Sequence, residues 1–310
     1  MTINETLAYI CCPLCKADLL PTDANLRCVS CNAKYKIINE NILSIVPNIT
    51  EDIKLSIDKW DQLYKSQLEN KTYDRDLVTY EQLYFADVKS QLVEAKVLTR
   101  DVIYLEIGCG PFFLGQKLAK DVKLIIGIDF SPAALQIAKT MLDAKGITNY
   151  ILIQGDILSL PLKDNTVDLI YGGGVLEHFK DTVTAVKQLY CVLRSGGVSF
   201  NTVPYLNIGT LTYRQLWGNI PNFFGLKQLA EFIHIKLLKG RHMIFGYEFS
   251  FLESTIKRIH KQAGFKQITV ARFKVQTVFD FIPKIFRKFA AYLCNSSRLF
   301  WPMIKVIAQK

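Results

Sequence analysis

The sequence lacks the marks of several classes of protein. Although 50% of its 310 residues are hydrophobic, no run of about 20 consecutive apolar residues occurs, which argues against a transmembrane helix. Residues 1–10 have no basic segment ahead of an apolar stretch, so they do not resemble a signal peptide, and we expect a cytoplasmic protein. There is no internal repeat, and the apolar content excludes intrinsic disorder.

Excess positive charge is absent from the N-terminal region and concentrated at the other end of the chain. Residues 1–50 carry four basic and four acidic side chains, whereas residues 261–310 carry ten basic and one acidic. The net charge of +10 therefore resides mainly in the C-terminal third. We expect any anionic partner to bind there.

Cysteines cluster near the N-terminus, where five of the eight lie within the first 31 residues. Cys12 and Cys15, then Cys28 and Cys31, form two C-x-x-C pairs, the spacing that lets four thiolates surround Zn²⁺. Cys11 could compete with Cys12 for the first ligand position, but Cys12 gives the two-residue spacer. The alternative of two disulfides is disfavoured by a cytoplasmic compartment.

Four thiolates fill a tetrahedral zinc site and leave no position for water, so the sequence predicts a structural metal. A module of this size has too small a core to fold without such support. We therefore expect a zinc-binding domain over residues 1–47. Residues 48–100 follow as a helical connector of two helices, separated by Glu69–Lys71.

From residue 101 onward, short apolar runs alternate with helical periodicity, which predicts an α/β domain with a mostly parallel sheet over residues 101–310. The predicted helices lie near residues 113–120, 132–145, 180–194 and 251–263. The predicted strands are Val102–Ile107, Leu124–Asp129, Tyr150–Gln154, Val167–Tyr171, Gly197–Thr202, Phe265–Phe273 and Met303–Ala308.

A glycine-rich turn and two carboxylates follow the first three strands in order. The turn is Gly108–Cys109–Gly110, with Glu106 two residues before it, and the carboxylates are Asp129 and Asp156. Such turns let a backbone approach a ligand, and a carboxylate after the second strand can bind a ribose. A nicotinamide site would place its third glycine at Phe113, and Glu106 would repel a pyrophosphate. A ligand with an amino group or sulfonium suits this charge pattern better.

These motifs resemble those of a class I S-adenosylmethionine-dependent methyltransferase of the small-molecule, type 11 kind, over residues 101–205. The resemblance implies a Rossmann-like, seven-stranded, mostly parallel sheet and an enzyme that binds S-adenosylmethionine. Residues 1–47 resemble the small zinc ribbon that precedes the catalytic domain in some methyltransferases. By resemblance, the cofactor-binding residues are Glu106, Gly108, Cys109, Gly110, Asp129 at the ribose, Phe130 beside the adenine, and Asp156 with Ile157 at the adenine edge.

The resemblance also singles out one departure and two further positions. The family often has a third glycine where Phe112 stands, so the loop after Gly110 could be shaped differently. Gly173, in a run of three glycines, could let the methyl donor lie across it or could serve only as a flexible turn. His178 could act as a general base, or could cap a helix or support the cofactor.

Two insertions, near residues 205–246 and 275–302, extend the domain. The first is apolar with interspersed basic residues. The second predicts a helix with Lys284, Arg287 and Lys288 opposite an apolar stripe of Ile282, Ile285, Phe286, Phe289 and Leu293. A basic amphipathic helix suits anionic lipid head groups, although its stripe could instead pack on the protein body.

The sequence therefore predicts methylation, most simply on oxygen, of a polar intermediate that is lipid-linked or glycosylated, by a cytoplasmic enzyme peripheral to the membrane. An rRNA or tRNA methyltransferase using the zinc ribbon for RNA binding is the first alternative. Against it, residues 1–50 carry no net charge, and the loop at Tyr171–Gly174 lacks the Asn/Asp-Pro-Pro-aromatic pattern. A non-catalytic zinc-ribbon partner protein is the second alternative.

Overall fold

The computed structural model describes residues 2–23, 25–39, 42–46, 51–80, 85–243, 246–273 and 283–310. The helices found there are α1 Ile3–Thr6, α2 Glu51–Asn70, α3 Tyr73–Tyr80, α4 Ala86–Ala95, α5 Phe113–Leu118, α6 Pro132–Ala144, α7 Thr182–Val192, α8 Ile208–Thr212, α9 Leu226–Glu231, α10 Glu253–Ala263 and α11 Lys284–Ser296. The strands are β1 Leu19–Pro21, β2 Asn25–Cys28, β3 Lys34–Asn39, β4 Ile42–Ile45, β5 Ile103–Ile107, β6 Leu124–Asp129, β7 Tyr150–Gly155, β8 Val167–Gly173, β9 Leu193–Pro204, β10 Ile220–Pro221, β11 Phe249–Ser250, β12 Gln267–Phe273 and β13 Met303–Gln309.

Seven strands form the sheet that the sequence predicts, in the order β7-β6-β5-β8-β9-β13-β12. The first five are parallel, and β13 runs antiparallel to both of its neighbours. All five residues of β5 are buried, as expected of a central parallel strand covered by helices on both faces. The prediction of a mostly parallel, Rossmann-like sheet is confirmed.

The N-terminal module continues this sheet. Its strands β1 to β4 form an antiparallel meander, and β4 pairs in parallel with β7, giving eleven strands in all. Ile42, Leu43 and Ile45 of β4 are buried. Pairing with β4 covers the backbone N–H and C=O groups that β7 would otherwise expose as an edge strand.

The element bounds agree with the sequence predictions to within a few residues, with two differences. The predicted second connector helix corresponds to α3 and α4, which lie on either side of residues 81–84, outside the described residues. Strand β9 begins at Leu193 rather than at Gly197, because Leu193 already pairs with Val167 of β8.

The two insertions fold into short helices with exposed apolar side chains. The first contains α8, α9 and a π-helical turn at Phe232–Leu237, with β10 and β11 paired beside them. The second contains α11, although Ile282, which the sequence placed on its apolar stripe, lies outside the described residues. A search of the described helices finds none with the length and apolar character needed to cross a bilayer.

Candidate functional site

A cavity opens at the carboxyl ends of β5 to β8, the edge where parallel sheets of this topology bind ligands. Residues of the glycine turn and of the segments after β6, β7 and β8 form most of its wall, and α2 covers one side. The lining residues are Ile57, Trp60, Tyr64, Gly108, Ile128, Asp129, Phe130, Ser131, Gly155, Ile157, Gly173, Gly174, Val175, His178 and Phe179. The structure thus brings most of the sequence-predicted cofactor residues to one place.

The glycine turn needs its glycines for conformation and for space. Gly108 and Gly110 have φ angles of +57° and +51°, in the left-handed region that favours glycine. A Cβ on Gly108 would lie 2.6 Å from Cγ2 of Val175, and one on Gly110 would lie 2.6 Å from the Tyr64 hydroxyl oxygen. Side chains at either position would therefore displace residues that line the cavity.

Phe112, the departure from the family pattern, occupies the conformation of the glycine it replaces. Its φ of +60° is left-handed, and its ring is fully buried rather than in the cavity. Gly115 gives the ring its space, since a Cβ there would lie 2.2 Å from Phe112 Cε2. Burial of the phenyl ring offsets the strain of this left-handed backbone conformation.

Asp129 both shapes the site and faces the cavity. The Gly110 N–H donates to its Oδ2 at 2.8 Å, and the Ser131 N–H donates to its Oδ1 at 2.9 Å. Burial raises the pKa of Asp129, while these N–H groups act in the opposite direction. A carboxylate offers about four acceptor positions, so Asp129 can still accept a hydrogen bond from a ligand hydroxyl.

Glu106 and Cys109 lie beneath the turn rather than in the cavity wall. Glu106 Oε2 accepts hydrogen bonds from the Tyr104 hydroxyl at 2.9 Å and the Gly115 N–H at 3.1 Å. Burial raises the pKa of Glu106 to about 8, and the pKa of the Cys109 thiol also rises through burial. In this structure both residues brace the loop from below.

The third predicted carboxylate caps a short helix. Asp156 Oδ1 accepts a hydrogen bond from the Leu158 N–H at 2.8 Å, which starts the 3-10 helix Ile157–Ser159. Its side chain is buried behind Ile157, which lines the cavity. Asp156 thus fixes the segment that presents Ile157, next to Phe130 in the same wall.

Helix α2 supplies lining residues that the sequence analysis assigned only to a connector. Trp60 and Tyr64 stack with ring centroids 6.0 Å apart, and both line the cavity. The Ser131 hydroxyl donates to Asp61 Oδ1 at 2.7 Å, which ties α2 to the start of α6. The helical spacing of Ile57, Trp60 and Tyr64 was the available signal, but it indicates a buried face without naming what the face covers.

His178 lines the cavity beside Gly173 and Gly174. Its Nδ1–H donates to the Tyr247 carbonyl at 2.6 Å, so the neutral ring keeps Nε2 as a hydrogen-bond acceptor. Burial lowers the pKa of His178 below 6.5, against opposing effects from Glu248 and from the carbonyls of Tyr247 and Gly174. Burial thus favours the neutral form of the ring.

A buried polar cluster next to His178 escaped the sequence analysis. Arg214 Nη1 and Asn219 Nδ2 both donate to Glu248 Oε1, at 2.5 and 2.9 Å. Arg214, counted in sequence among the basic residues of the first insertion, is thus buried in an ion pair. Burial raises the pKa of Glu177 well above its usual range, and the nearby Glu248 adds to this effect. Among the described residues, Glu177 Oε2 has no hydrogen-bond partner.

The four predicted zinc ligands lie together in the N-terminal module. The sulfur atoms of Cys12, Cys15, Cys28 and Cys31 are all within 4.8 Å of one another, with Cys12–Cys31 at 3.6 Å and Cys15–Cys28 at 3.4 Å. A tetrahedral site with Zn–S bonds of about 2.3 Å needs sulfurs about 3.8 Å apart, so the donor set fits the metal. All eight cysteines are free, and the Cys11 thiol donates instead to the Leu162 carbonyl at 3.1 Å.

Residues 105–200 are similar to known methyltransferases. A family model described as a methyltransferase domain matches residues 105–200, from β5 to β9. A demethylmenaquinone methyltransferase of Geobacillus kaustophilus is 26% identical over 181 residues, which cover 54% of this chain and 71% of that protein. The chain contains a class I S-adenosylmethionine-dependent methyltransferase domain.

Two other curated proteins match this chain over only part of their own length. An uncharacterized chloroplastic methyltransferase of Arabidopsis thaliana is 24% identical over 64% of this chain and 62% of its own. A demethylmenaquinone methyltransferase of Lactococcus lactis is 30% identical over 41% of this chain and 54% of its own. The chain thus spans between about half and about 70% of these curated relatives.

Solved structures support the fold of the methyltransferase domain. The Haemonchus contortus phosphoethanolamine N-methyltransferase 2, solved with phosphomonomethylethanolamine and S-adenosylhomocysteine, has a TM-score of 0.54 and 16% identity, covering 80% of this chain and 60% of its own. A chain from the complex between the Haloferax volcanii Trm112 methyltransferase activator and a methyltransferase has a TM-score of 0.53 and 15% identity. The match covers 77% of this chain and 94% of that chain.

The position of Asp129 in the methyltransferase domain leads to a direct test. Asp129→Ala removes the carboxylate that faces the cavity and frees the N–H groups of Gly110 and Ser131. We expect affinity for S-adenosylhomocysteine to fall by about 1–3 kcal/mol, roughly 5- to 150-fold, as for a lost charged hydrogen bond. Calorimetric titration measures this change, and unchanged affinity would refute the assignment.

Proposed function

We propose that the chain transfers a methyl group from S-adenosylmethionine to oxygen on a polar intermediate that is lipid-linked or glycosylated. The proposed class of acceptor rests on one observation, an exposed apolar and basic surface near the cofactor cavity. Several relatives carry the name demethylmenaquinone methyltransferase, which agrees with a small-molecule acceptor.

The cavity residues suit S-adenosylmethionine. Gly108 and Gly110 allow close backbone approach, Asp129 offers acceptors for ribose hydroxyls, and Phe130 and Ile157 provide apolar walls for an adenine. When bound, this cofactor supplies an electrophilic methyl group on a sulfonium. The protein's part is to hold the acceptor in line with that methyl and to exclude water, which the covering helix α2 favours.

His178 is proposed as the general base. Its Nδ1–H is fixed by the Tyr247 carbonyl, which orients the ring and leaves Nε2 to accept the proton of an acceptor hydroxyl. Burial lowers the pKa of His178, which favours the neutral form that can accept a proton. Transfer should therefore be fast above that pKa and slow as the ring becomes protonated at lower pH.

A labelled-methyl screen tests the activity and the base together. We expect purified protein with radiolabelled S-adenosylmethionine to label a lipid extract in preference to saccharide and RNA fractions. His178→Gln should reduce the labelling rate about 100-fold or more while leaving affinity for S-adenosylhomocysteine within about twofold. We expect the wild-type rate to fall at low pH as His178 becomes protonated, and the remaining rate of His178→Gln should not show this fall.

Two other outcomes are informative in the same screen. Label recovered in the RNA fraction would contradict the acceptor class while leaving the cofactor site intact. Full activity in His178→Gln would show that the acceptor needs no base, and His178 would then be a structural residue.

The proposed membrane surface consists of apolar side chains exposed on α8, α9, the π-helical turn and α11, and on the short segments that flank these helices. Phe224 is 89% exposed and Ile285 is 81% exposed, values far above those of core residues. The other members are Ile208, Leu211, Leu216, Phe223, Leu226, Leu229, Phe232, Leu237, Phe286, Phe289, Leu293, Leu299 and Phe300. The described members of the stripe on α11, Ile285, Phe286, Phe289 and Leu293, are thus exposed, which supports contact with an external surface.

Hydrogen bonds connect the two insertions that form this membrane surface and also connect the surface to His178. The Gly209 N–H donates to the Leu299 carbonyl at 3.1 Å, which connects the two insertions. The Tyr247 hydroxyl donates to Glu231 of α9, and the Tyr247 carbonyl binds His178. An acceptor held at a membrane would thus be close to the site where the methyl group is transferred.

Charge indicates which membrane would bind. The segment 283–300 carries Lys284, Arg287, Lys288 and Arg298 and no acidic residue. Basic groups beside exposed aromatic side chains are typical of helices that bind anionic lipid surfaces. We therefore propose peripheral contact with an anionic membrane through these residues.

Vesicle sedimentation tests the membrane contact. We expect binding to vesicles containing phosphatidylglycerol, weaker binding as salt rises, and little binding to phosphatidylcholine alone. Phe289→Ser should lower binding about fivefold or more, because an inserted phenyl ring is lost. Val97→Ser, at a side chain that is 70% exposed outside this surface, is the matched control and should bind as wild type. Equal sedimentation with both lipids would rule out the contact.

The cysteine cluster is proposed to hold one structural Zn²⁺. Tyr35 and the backbone support the sulfurs: the Tyr35 hydroxyl lies 3.1 Å from Cys12 Sγ, and the N–H groups of Ser30 and Cys31 donate to Cys28 Sγ. Contacts of this kind orient metal ligands. The metal would thus stabilise the module and take no part in the chemistry.

Metal analysis distinguishes the two adjacent cysteines. Wild type should contain about one zinc per chain, Cys12→Ser should lose most of it, and Cys11→Ser should keep it, because the Cys11 thiol bonds to Leu162. The module should unfold at lower temperature in Cys12→Ser, since zinc contributes to its folding. Zinc loss in Cys11→Ser alone would reverse the ligand assignment.

A further inference from the structure

We infer that Ser44 of the N-terminal module is a positioning residue for cofactor binding, acting through Gln154, which bonds to the carbonyl of Phe130 in the cavity wall. The inference rests on the proposed function, because it takes the cavity as the site of S-adenosylmethionine. It adds a role for the zinc module that a merely structural appendage would not have. The module would form part of the cofactor site.

Sheet register brings the relevant residues side by side. Strand β4 pairs in parallel with β7 so that Ser44 lies opposite Gln154, and β7 pairs with β6 so that Gln154 lies opposite Asp129. Three adjacent strands therefore place these side chains in one row at the carboxyl edge of the sheet. The last of the three lines the cavity.

Hydrogen bonds link this row. The Ser44 hydroxyl donates to Gln154 Oε1 at 2.7 Å, and Gln154 Nε2 donates to the Phe130 carbonyl at 3.1 Å. A primary amide has one oxygen and one NH₂ group, so a donor at its oxygen fixes which way the NH₂ group points. Ser44 thereby directs the amide toward Phe130, whose neighbours Asp129 and Ser131 also line the cavity.

A second set of contacts holds the other flank of the same wall. The Cys11 N–H donates to the Pro161 carbonyl at 3.1 Å, and Lys16 Nζ donates to the Leu160 carbonyl at 2.7 Å. These carbonyls follow directly on the 3-10 helix that presents Ile157 to the cavity. The module thus contacts the segment after β7 directly and reaches the segment after β6 through Gln154, and these two segments form the proposed adenine side of the site.

Thermodynamic linkage gives this arrangement a consequence. If the docked module holds Phe130 and Ile157 in their binding positions, ordering these segments costs less when the cofactor binds. Contacts made by Ser44 should therefore raise cofactor affinity, and bound cofactor should in turn favour the docked module. The effect should appear in affinity, with the zinc content unchanged.

Titration of S-adenosylhomocysteine into four forms of the full chain tests the inference. Ser44→Ala should weaken binding about three- to tenfold, within the range of one lost hydrogen bond, while zinc content stays at about one per chain. Ser44→Thr keeps the hydroxyl and should bind within about twofold of wild type. Thr22→Ala is the matched control, because it removes a module hydroxyl that donates only to the Asn25 carbonyl in the described contacts.

A double-mutant cycle guards against a folding defect in the module. Gln154→Met removes the amide from the methyltransferase side and should weaken binding to a similar degree. Ser44→Ala in that background should then cause little further loss, because both changes break one chain of hydrogen bonds. Independent structural damage would instead give additive losses.

The outcomes separate this inference from the proposed function. Wild-type affinity in Ser44→Ala, or additive losses in the cycle, would overturn the positioning role. Failure of wild type itself to bind S-adenosylhomocysteine would overturn the assignment of the cavity. Loss of zinc from Ser44→Ala would also overturn the inference, since the hydroxyl would then support the metal module only.

Discussion

The parallel pairing of β4 with β7 is the constraint on which the organisation of the chain depends. It turns a small cysteine-rich meander and a seven-stranded sheet into one hydrogen-bonded structure of eleven strands. The pairing removes the open edge of β7 and places the N-terminal module next to the segments that follow β6 and β7. The hydrogen bonds of this pairing therefore connect the module to the strand that leads into the cavity wall.

Buried carboxyl groups organise the site within this frame. Asp129 holds the N–H groups of two loops, Glu106 holds the turn from below, and Asp156 starts a short helix. Burial raises the pKa of all three, and hydrogen bonds from backbone N–H groups oppose that rise. Their first role is thus to fix loop geometry, and only Asp129 of the three also lines the cavity.

Local pattern was sufficient to predict the strands, the glycine turn, the position of Asp129 at the cavity and the clustering of Cys12, Cys15, Cys28 and Cys31. Each depends on residues close together in sequence: a strand end, a turn, or a C-x-x-C spacing. Whether the Glu106 side chain points into the cavity or away from it could not be predicted. A strand that is buried on both faces shows no alternation of polar and apolar residues to distinguish the two sides. The conformation of Phe112 was equally hidden, since it depends on space left by Gly115 and Gly127.

The other site residues that the sequence analysis did not identify depend on contacts between segments that are far apart in the chain. Trp60 and Tyr64 precede the glycine turn by more than 40 residues, and Arg214 meets Glu248 across 34 residues. Helical periodicity indicates that such side chains are partly buried but not against what. The exposed stripe on α11 shows the same limit, because amphipathic spacing alone is equally compatible with packing on the protein body.

The most direct test of this account is calorimetric titration of the zinc-loaded chain with S-adenosylhomocysteine, using NADH as the control ligand. The account predicts micromolar binding of S-adenosylhomocysteine at one site per chain and no binding of NADH. Binding of NADH, or no binding of S-adenosylhomocysteine, would contradict the assignment of the cavity and with it the central claim.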